Sequence, residues 1–114
     1  MDDCIFCRIV AGELPSDELA STDLTYAFRD INPALPHHVL VVSKEHIQSA
    51  DTLEPGHGDV LAEMMQTAQQ VARAEGIEER GYRLVFNVGD EAQNSVPHLH
   101  MHVLGGRPMA WPPG

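Results

Sequence analysis

From Cys4 to Val10 the apolar residues Ile5, Phe6, Ile9 and Val10 recur at helical spacing, which predicts a short helix with Gly12 as its stop. Pro15, Ser16 and Asp17 mark a turn, after which Glu18 to Ser21 and Leu24 to Asp30 read as two short strands able to form a hairpin. Asn32-Pro33 and Leu35-Pro36 punctuate the next stretch, because each proline biases the residue before it away from helix. The run from His38 to Val42 predicts a central strand, followed by a second short helical piece near His46. Between about Gly58 and Glu75, the residues Val60, Leu61, Met64, Ala68, Val71 and Ala72 share one stripe, predicting an amphipathic helix ended by Gly76. Tyr82, Leu84 and Phe86 then alternate with Arg83, Val85 and Asn87 as in a strand, and residues 88–97 form a polar loop. Alternation returns from His98 to Leu104: in a strand, His98, His100 and His102 share one face and Leu99, Met101 and Val103 the other.

These elements assemble most economically as an α+β fold, an antiparallel sheet of about five strands with one main helix on a face and a short N-terminal helix. The 114 residues suit one domain spanning 1–114, with no repeat, linker or low-complexity tract apart from the proline-rich end Trp111 to Gly114. The apolar stretches around Val39 to Val42 and Val60 to Met65 fall far short of the ~20 residues that cross a bilayer. The start, Met1 to Cys4, has neither a basic region nor an apolar core of signal-peptide length, so the expectation is a cytoplasmic protein with no membrane partner.

Charge narrows the partners. Seven Lys and Arg against seventeen Asp and Glu give a net charge of −10, which repels duplex nucleic acid. A small anionic ligand stays open, because backbone N–H groups and imidazoles bind phosphate locally even in an acidic protein. Cys4 and Cys7, the chain's two cysteines, are too few for a disulfide framework.

One histidine on a strand is usually a structural residue. Three on one face would each need a separate hydrogen-bonding solution if they were merely buried, so His98, His100 and His102 point to a site. Spacing alone leaves two kinds open: a catalytic metal held by the three imidazoles, or a nucleophilic imidazole supported by its neighbours.

His98-Leu-His100-Met-His102-Val-Leu104 resembles the signature of the histidine-triad family, in particular its nucleoside phosphoramidase branch. Ile5-Phe6, Phe28 to Pro33, Pro36 to Ile47, Asn87, Ser95-Val96 and the ending Gly105 to Gly114 extend the likeness over nearly the whole chain. The resemblance implies a nucleotidyl hydrolase that cleaves purine nucleoside 5′-phosphoramidates at the α-phosphorus. His100 would be the nucleophile, forming a nucleotidyl-histidine that water hydrolyses to a nucleoside monophosphate. His102 and Ser95 would hold the phosphate oxygens and leaving group, with Asn87 nearby; His98 and His38 would support the nucleophile's tautomer and orientation. Asp30 would bind the ribose hydroxyls, and Phe6, Phe28 and Ile31 would line the base pocket.

Plainer readings stand beside these: Asp30 as the start of a turn, Ser95 as a solvated loop residue, Phe6 and Phe28 as core. The alternatives at the level of function are a dinucleoside polyphosphate hydrolase and a nucleotide-binding or interaction module with weak catalysis. One departure touches the phosphate loop: Gln93-Asn94 precedes Ser95 where the branch usually carries a small residue, often glycine, and then Gln. A glycine there would serve a positive φ or a close approach.

The family further implies a symmetric homodimer, with the apolar Met109 to Pro113 segment reaching toward the partner's site. Cys4-x-x-Cys7 has zinc-knuckle spacing but equally suits two core cysteines. The resemblance supplies His46 and His98 as further ligands, completing a closed Cys₂His₂ set for a structural zinc, with no organic cofactor.

Overall fold

The computed structural model describes residues 3–114; residues 1 and 2, part of the stretch read above as lacking a leader, lie outside the described residues. A short helix α1 (Ile5–Val10) precedes strands β1 (Glu18–Ser21), β2 (Thr25–Arg29) and β3 (His37–Ser43), helix α2 (Gly58–Ala74), and strands β4 (Tyr82–Val85) and β5 (His100–Gly105). The five strands form one sheet in the order β1-β2-β3-β5-β4, antiparallel throughout. The hairpin expected of the first two strands is present, with its register broken between Glu18 and Ala20.

Alternation along the central strands gives the sheet two different faces. Ala27, Val39, Val41, Met101 and Val103 point to the face covered by α2, which buries Val60, Met64, Ala68, Val71 and Ala72 against them. Burying side chains of this size contributes roughly 1.5–3 kcal/mol each for the larger ones, so this layer dominates the stability of the fold. A buried hydroxyl pair, Thr25 to Thr67 at 2.7 Å, ties β2 to the same helix without leaving a polar atom unmatched. The helix ends in a Schellman turn: Gly76 at φ +75° lets Ile77 N–H reach the Ala72 carbonyl at 3.0 Å and buries Ile77 in the core. Beside that turn Glu75 accepts from both terminal nitrogens of Arg29, docking the end of α2 on β2.

The opposite face carries Tyr26, Phe28, Leu40 and Val42, and α1 lays Cys4, Phe6 and Ile9 on it. His38 on β3 and His100 and His102 on β5 stand on this face too, with Val42 opposite His100 and Leu40 opposite His102. Among the described residues no helix is long and apolar enough to cross a membrane.

Three expected boundaries differ. The helical piece expected near His46 is absent: residues 45–49 run without regular structure, and single 3₁₀ turns follow at Ala50–Thr52 and Pro55–His57. The fourth strand ends at Val85 instead of continuing through Phe86. The last strand begins at His100, so His98 lies outside it, in a bend where its N–H bonds the Val96 carbonyl at 2.8 Å.

Candidate active site and metal centre

That bend splits the expected row of three imidazoles. His100 and His102 face an open cleft, whereas His98 is fully buried and turned toward the N-terminal helix. The cleft has a volume of about 1020 Å³ and runs from His100 and His102 between α1 and the sheet, bounded by Phe6, Phe28, Leu40 and Val96. Asp30, Ile31 and Ser95 also line it, Ile31 at the mouth with 91% of its surface exposed. Phe6 meets three rings edge-on: Phe28 at 5.7 Å, His98 at 5.8 Å and His100 at 5.0 Å between centroids. The wall of the cleft and the packing of the histidines are thus one aromatic cluster.

Backbone partners fix the protons on His100 and His38, and His38 fixes that on His102. The His98 carbonyl can only accept, so its 2.7 Å contact with His100 Nδ1 puts the proton on Nδ1 and leaves the Nε2 lone pair free. The N–H of Ala34 can only donate, so its 3.0 Å contact with His38 Nδ1 places the His38 proton on Nε2. His38 Nε2–H then donates to His102 Nδ1 at 2.8 Å, with the Asp30 carboxylate 3.4 Å from the same nitrogen. His102 in consequence carries its proton on Nε2; Asn87 Nδ2 lies 3.4 Å away, so the Asn87 carboxamide accepts that proton with its oxygen and nitrogen exchanged. One face of the cleft therefore presents a bare nitrogen, His100 Nε2, next to a proton donor, His102 Nε2–H.

Electrostatics hold the same state. Burial lowers the pKa of His100 and of His38, the Asp30 carboxylate only partly opposing it in each case. Burial, reinforced by the neighbouring His100 and His38, lowers His102 to about 4. All three imidazoles are neutral at pH 7, so His100 keeps its lone pair and the relay from His38 to His102 carries no net charge.

The third member of the row belongs to a different cluster. His98 Nδ1 lies 3.2 Å from Cys4 Sγ, 3.5 Å from Cys7 Sγ and 3.2 Å from His46 Nδ1, and Cys7 Sγ lies 3.3 Å from His46 Nδ1. A tetrahedron with standard Zn–S and Zn–N bonds has edges of about 3.3–3.8 Å, and these four separations come near that range, with all four ligand atoms within 4.8 Å of one another. The donor set of two sulfurs and two nitrogens suits zinc. His98 Nε2–H donates to the Ser43 carbonyl at 2.6 Å, which aims the Nδ1 lone pair at the cluster as an outer partner of a metal ligand does. Both cysteines are unpaired by disulfide. Burial, with Cys4 alongside, raises the Cys7 thiol to about 11.

The alternative of one metal held by His98, His100 and His102 does not fit, because their ligand atoms do not converge. The other convergent group among the described residues is Asp30, His38 and His102. It makes a poor metal site, since a metal on His38 Nε2 would force a proton onto Nδ1, facing the Ala34 N–H donor.

Of the expected supporting roles, His38 reaches His102, and His98 touches His100 through its carbonyl while its ring is occupied elsewhere. Asp30 starts a local turn, Oδ1 accepting from Asn32 N–H at 2.8 Å, and it also lines the cleft. Sequence reading missed Ser43, whose carbonyl orients His98, and Leu40, which floors the cleft. Leu40 was accessible from its alternation with His38 on β3; a backbone acceptor leaves no signal in side-chain identity.

A family model described as "HIT domain" matches residues 11–109. The chain is 40% identical to the purine nucleoside phosphoramidase of Escherichia coli (strain K12), across 95% of this chain and 91% of that protein. It is 41% identical to a 14 kDa zinc-binding protein of Brassica juncea, across 98% and 100%. Its fold superimposes on a HIT family hydrolase from Legionella pneumophila Philadelphia 1 with a TM-score of 0.95 and 43% identity, covering 98% of this chain and 100% of that one. With the match spanning most of the chain and the histidine cleft in place, this protein belongs to the HIT family.

Proposed function

We propose that the protein, a hydrolase, cleaves purine nucleoside 5′-phosphoramidates at the α-phosphorus and releases a nucleoside 5′-monophosphate. The observation that carries this reading is the tautomer pair in the cleft, a free His100 Nε2 lone pair beside the His102 Nε2–H donor. His100 Nε2 attacks phosphorus, forming an N–P bond as the bond to the amine breaks. The proton stays on His100 Nδ1, hydrogen-bonded to the His98 carbonyl, and that acceptor stabilises the positive charge that develops on the ring. His102 Nε2–H and the Ser95 hydroxyl serve the phosphate oxygens and the departing nitrogen, which needs a proton to leave as a neutral amine. Water then displaces His100 and completes the hydrolysis. Asp30 Oδ2 accepts from a ribose hydroxyl, and the base lies between Phe6, Phe28 and Ile31.

Zinc in the Cys4, Cys7, His46, His98 cluster would be structural: all four positions are filled by side chains, so it supplies no open site to a substrate. The protein acts as a cytoplasmic homodimer on this reading.

Incubation with an adenosine 5′-phosphoramidate is expected to yield AMP, and rapid quench with α-labelled substrate is expected to trap label on the protein. His100→Ala should lower kcat at least ~10³-fold and abolish the trapped species. Turnover and labelling that survive the substitution would remove His100 from the nucleophile's place.

A further inference from the structure

Helix α1 is six residues long, well under the ~12 residues at which even a favourable isolated helix begins to hold in water. Its position is set by side chains at two sites. On one side Cys4 and Cys7 reach across to His46 and His98. On the other, Ile5, Phe6 and Ile9 form one wall of the cleft. Cys4 is also the helix N-cap, its sulfur accepting from Cys7 N–H at 3.4 Å, so the atoms that face the metal position also close the first turn.

We infer that metal occupancy of the cysteine–histidine cluster and nucleotide occupancy of the cleft are coupled through α1, each holding in place the helix that the other needs. The inference rests on the nucleotide reading of the cleft. A metal ion fixes Cys4 and Cys7 and with them the seating of Phe6; a base packed on Phe6 seats the same helix from its other face. The ligands need not touch, because both favour one state of an element with two, docked and loose. Without metal, the docked state is left to the apolar contacts of Cys4, Phe6 and Ile9, with Cys7 and Val10 beside them. The nucleophile packs edge-on against Phe6 at 5.0 Å between centroids, but its position is held by anchors outside α1. His98 stays anchored by the Ser43 carbonyl, and the start of β5 by Leu99 N–H to the Ile47 carbonyl and Ser43 N–H to the Leu99 carbonyl. Metal removal is therefore expected in affinity and not in the chemical step.

The test uses the full chain, zinc-loaded and after chelation, with AMP as the probe. Calorimetry should show AMP binding about tenfold weaker to the metal-free form, within the 5–150-fold span of ordinary coupling. Reciprocity requires that saturating AMP slow or weaken zinc transfer to a chromophoric chelator by a similar factor, a measurement made on the loaded protein. Hydrogen exchange after chelation should rise in residues 5–10 while β3 and β5 stay protected. With the phosphoramidate substrate, KM should rise and kcat stay within about threefold of its loaded value. Cys7→Ser should reproduce the metal-free behaviour in the calorimetry, the hydrogen exchange and the kinetics.

Equal AMP affinity in the two forms would overturn the coupling while leaving the nucleotide reading intact. Exchange rising equally across the sheet would overturn α1 as the carrier. AMP bound by neither form would overturn the nucleotide reading and the coupling together, and a chain that takes up no zinc would overturn the coupling alone.

Discussion

Gln93 is the non-glycine residue with a positive φ, +62°, among the described residues. It occupies the position where the resembling branch usually has a small residue, often glycine, and the conformation supplies the reason. A side chain in the left-handed region costs roughly 1 kcal/mol because Cβ crowds the carbonyl. The turn holds Gln93 there by its N–H to the Asp90 carbonyl at 2.9 Å, followed by Asn94 N–H to the Gly89 carbonyl at 3.1 Å. Gln93→Gly should therefore stabilise the protein by about 1 kcal/mol, read as a higher urea midpoint at unchanged slope. A lower midpoint would mean that the Gln93 side chain contributes contacts outweighing the backbone cost. At this scale the sequence was informative about which side chains come together: His100 and Phe6 line the cleft, and Cys4 and Cys7 meet His46 and His98. It was silent on the carbonyls of His98 and Ser43 and the amide of Ala34, which decide where each imidazole proton sits.

Strands β3 and β5 bring His38 and His102 together across the sheet, and that pairing makes stability respond to acid. His102 titrates at about 4 in the folded protein, against about 6.5 for an unperturbed histidine. Its shift is a lowered one, so between pH 6.5 and 4 the unfolded chain takes up a proton that the folded chain refuses. Stability should be flat above about pH 7 and fall as pH drops through that window. His38, lowered in the same direction, adds to the fall; Asp30, facing both, opposes it, and the nearby His100 reinforces it. Urea midpoints measured from pH 8 to 4 check this, and His102→Asn should make the profile shallower while His38, His98 and His100, lowered in the same direction, keep part of the fall. A midpoint independent of pH across the window would contradict a buried neutral pair.

The elements themselves were unequally legible. Helix α2 stood out because a run of seventeen residues carries several turns of one apolar stripe and a glycine stop. Residues 44–57 gave no usable period, since single 3₁₀ turns bury little and are fixed by proline and local hydrogen bonds. The alternation His98-Leu99-His100 imitates a strand one step too early. What overrides it is tertiary: the cysteine cluster and the Ser43 carbonyl both claim the His98 ring.

Whole-molecule packing leaves an unfinished surface at the C-terminal end. Trp111 is 81% exposed, and Met109 to Gly114 together with Leu84, Phe86 and Leu104 line a hollow of about 890 Å³ along edge strand β4. An exposed edge strand beside apolar side chains is a surface that a second copy can cover. Sedimentation at micromolar concentration should give twice the 12.5 kDa chain mass, and Trp111→Ala should weaken the association by about tenfold or more. A single 12.5 kDa species in the unaltered protein would contradict the homodimer. The order of the strands could not be read from the chain, because β3 pairs with β5 across residues 44–99 and only the folded sheet shows that crossing.

The split between a histidine pair on the middle of the sheet and a rim made of α1 and loop 88–97 bears on how such a protein can diversify. His100 and His102 alternate with core residues Met101 and Val103, so a change that moves them also disturbs the layer under α2. Ser95, Gln93 and Ile5 sit on segments whose substitution leaves that layer alone. On the proposed function, selection for a new base or a new leaving group can act on the rim while the strand chemistry is inherited unchanged. Relatives with different substrates are then expected to differ at the rim and agree at the strand, and chimaeras exchanging residues 88–97 should transfer substrate preference without transferring or destroying the reaction.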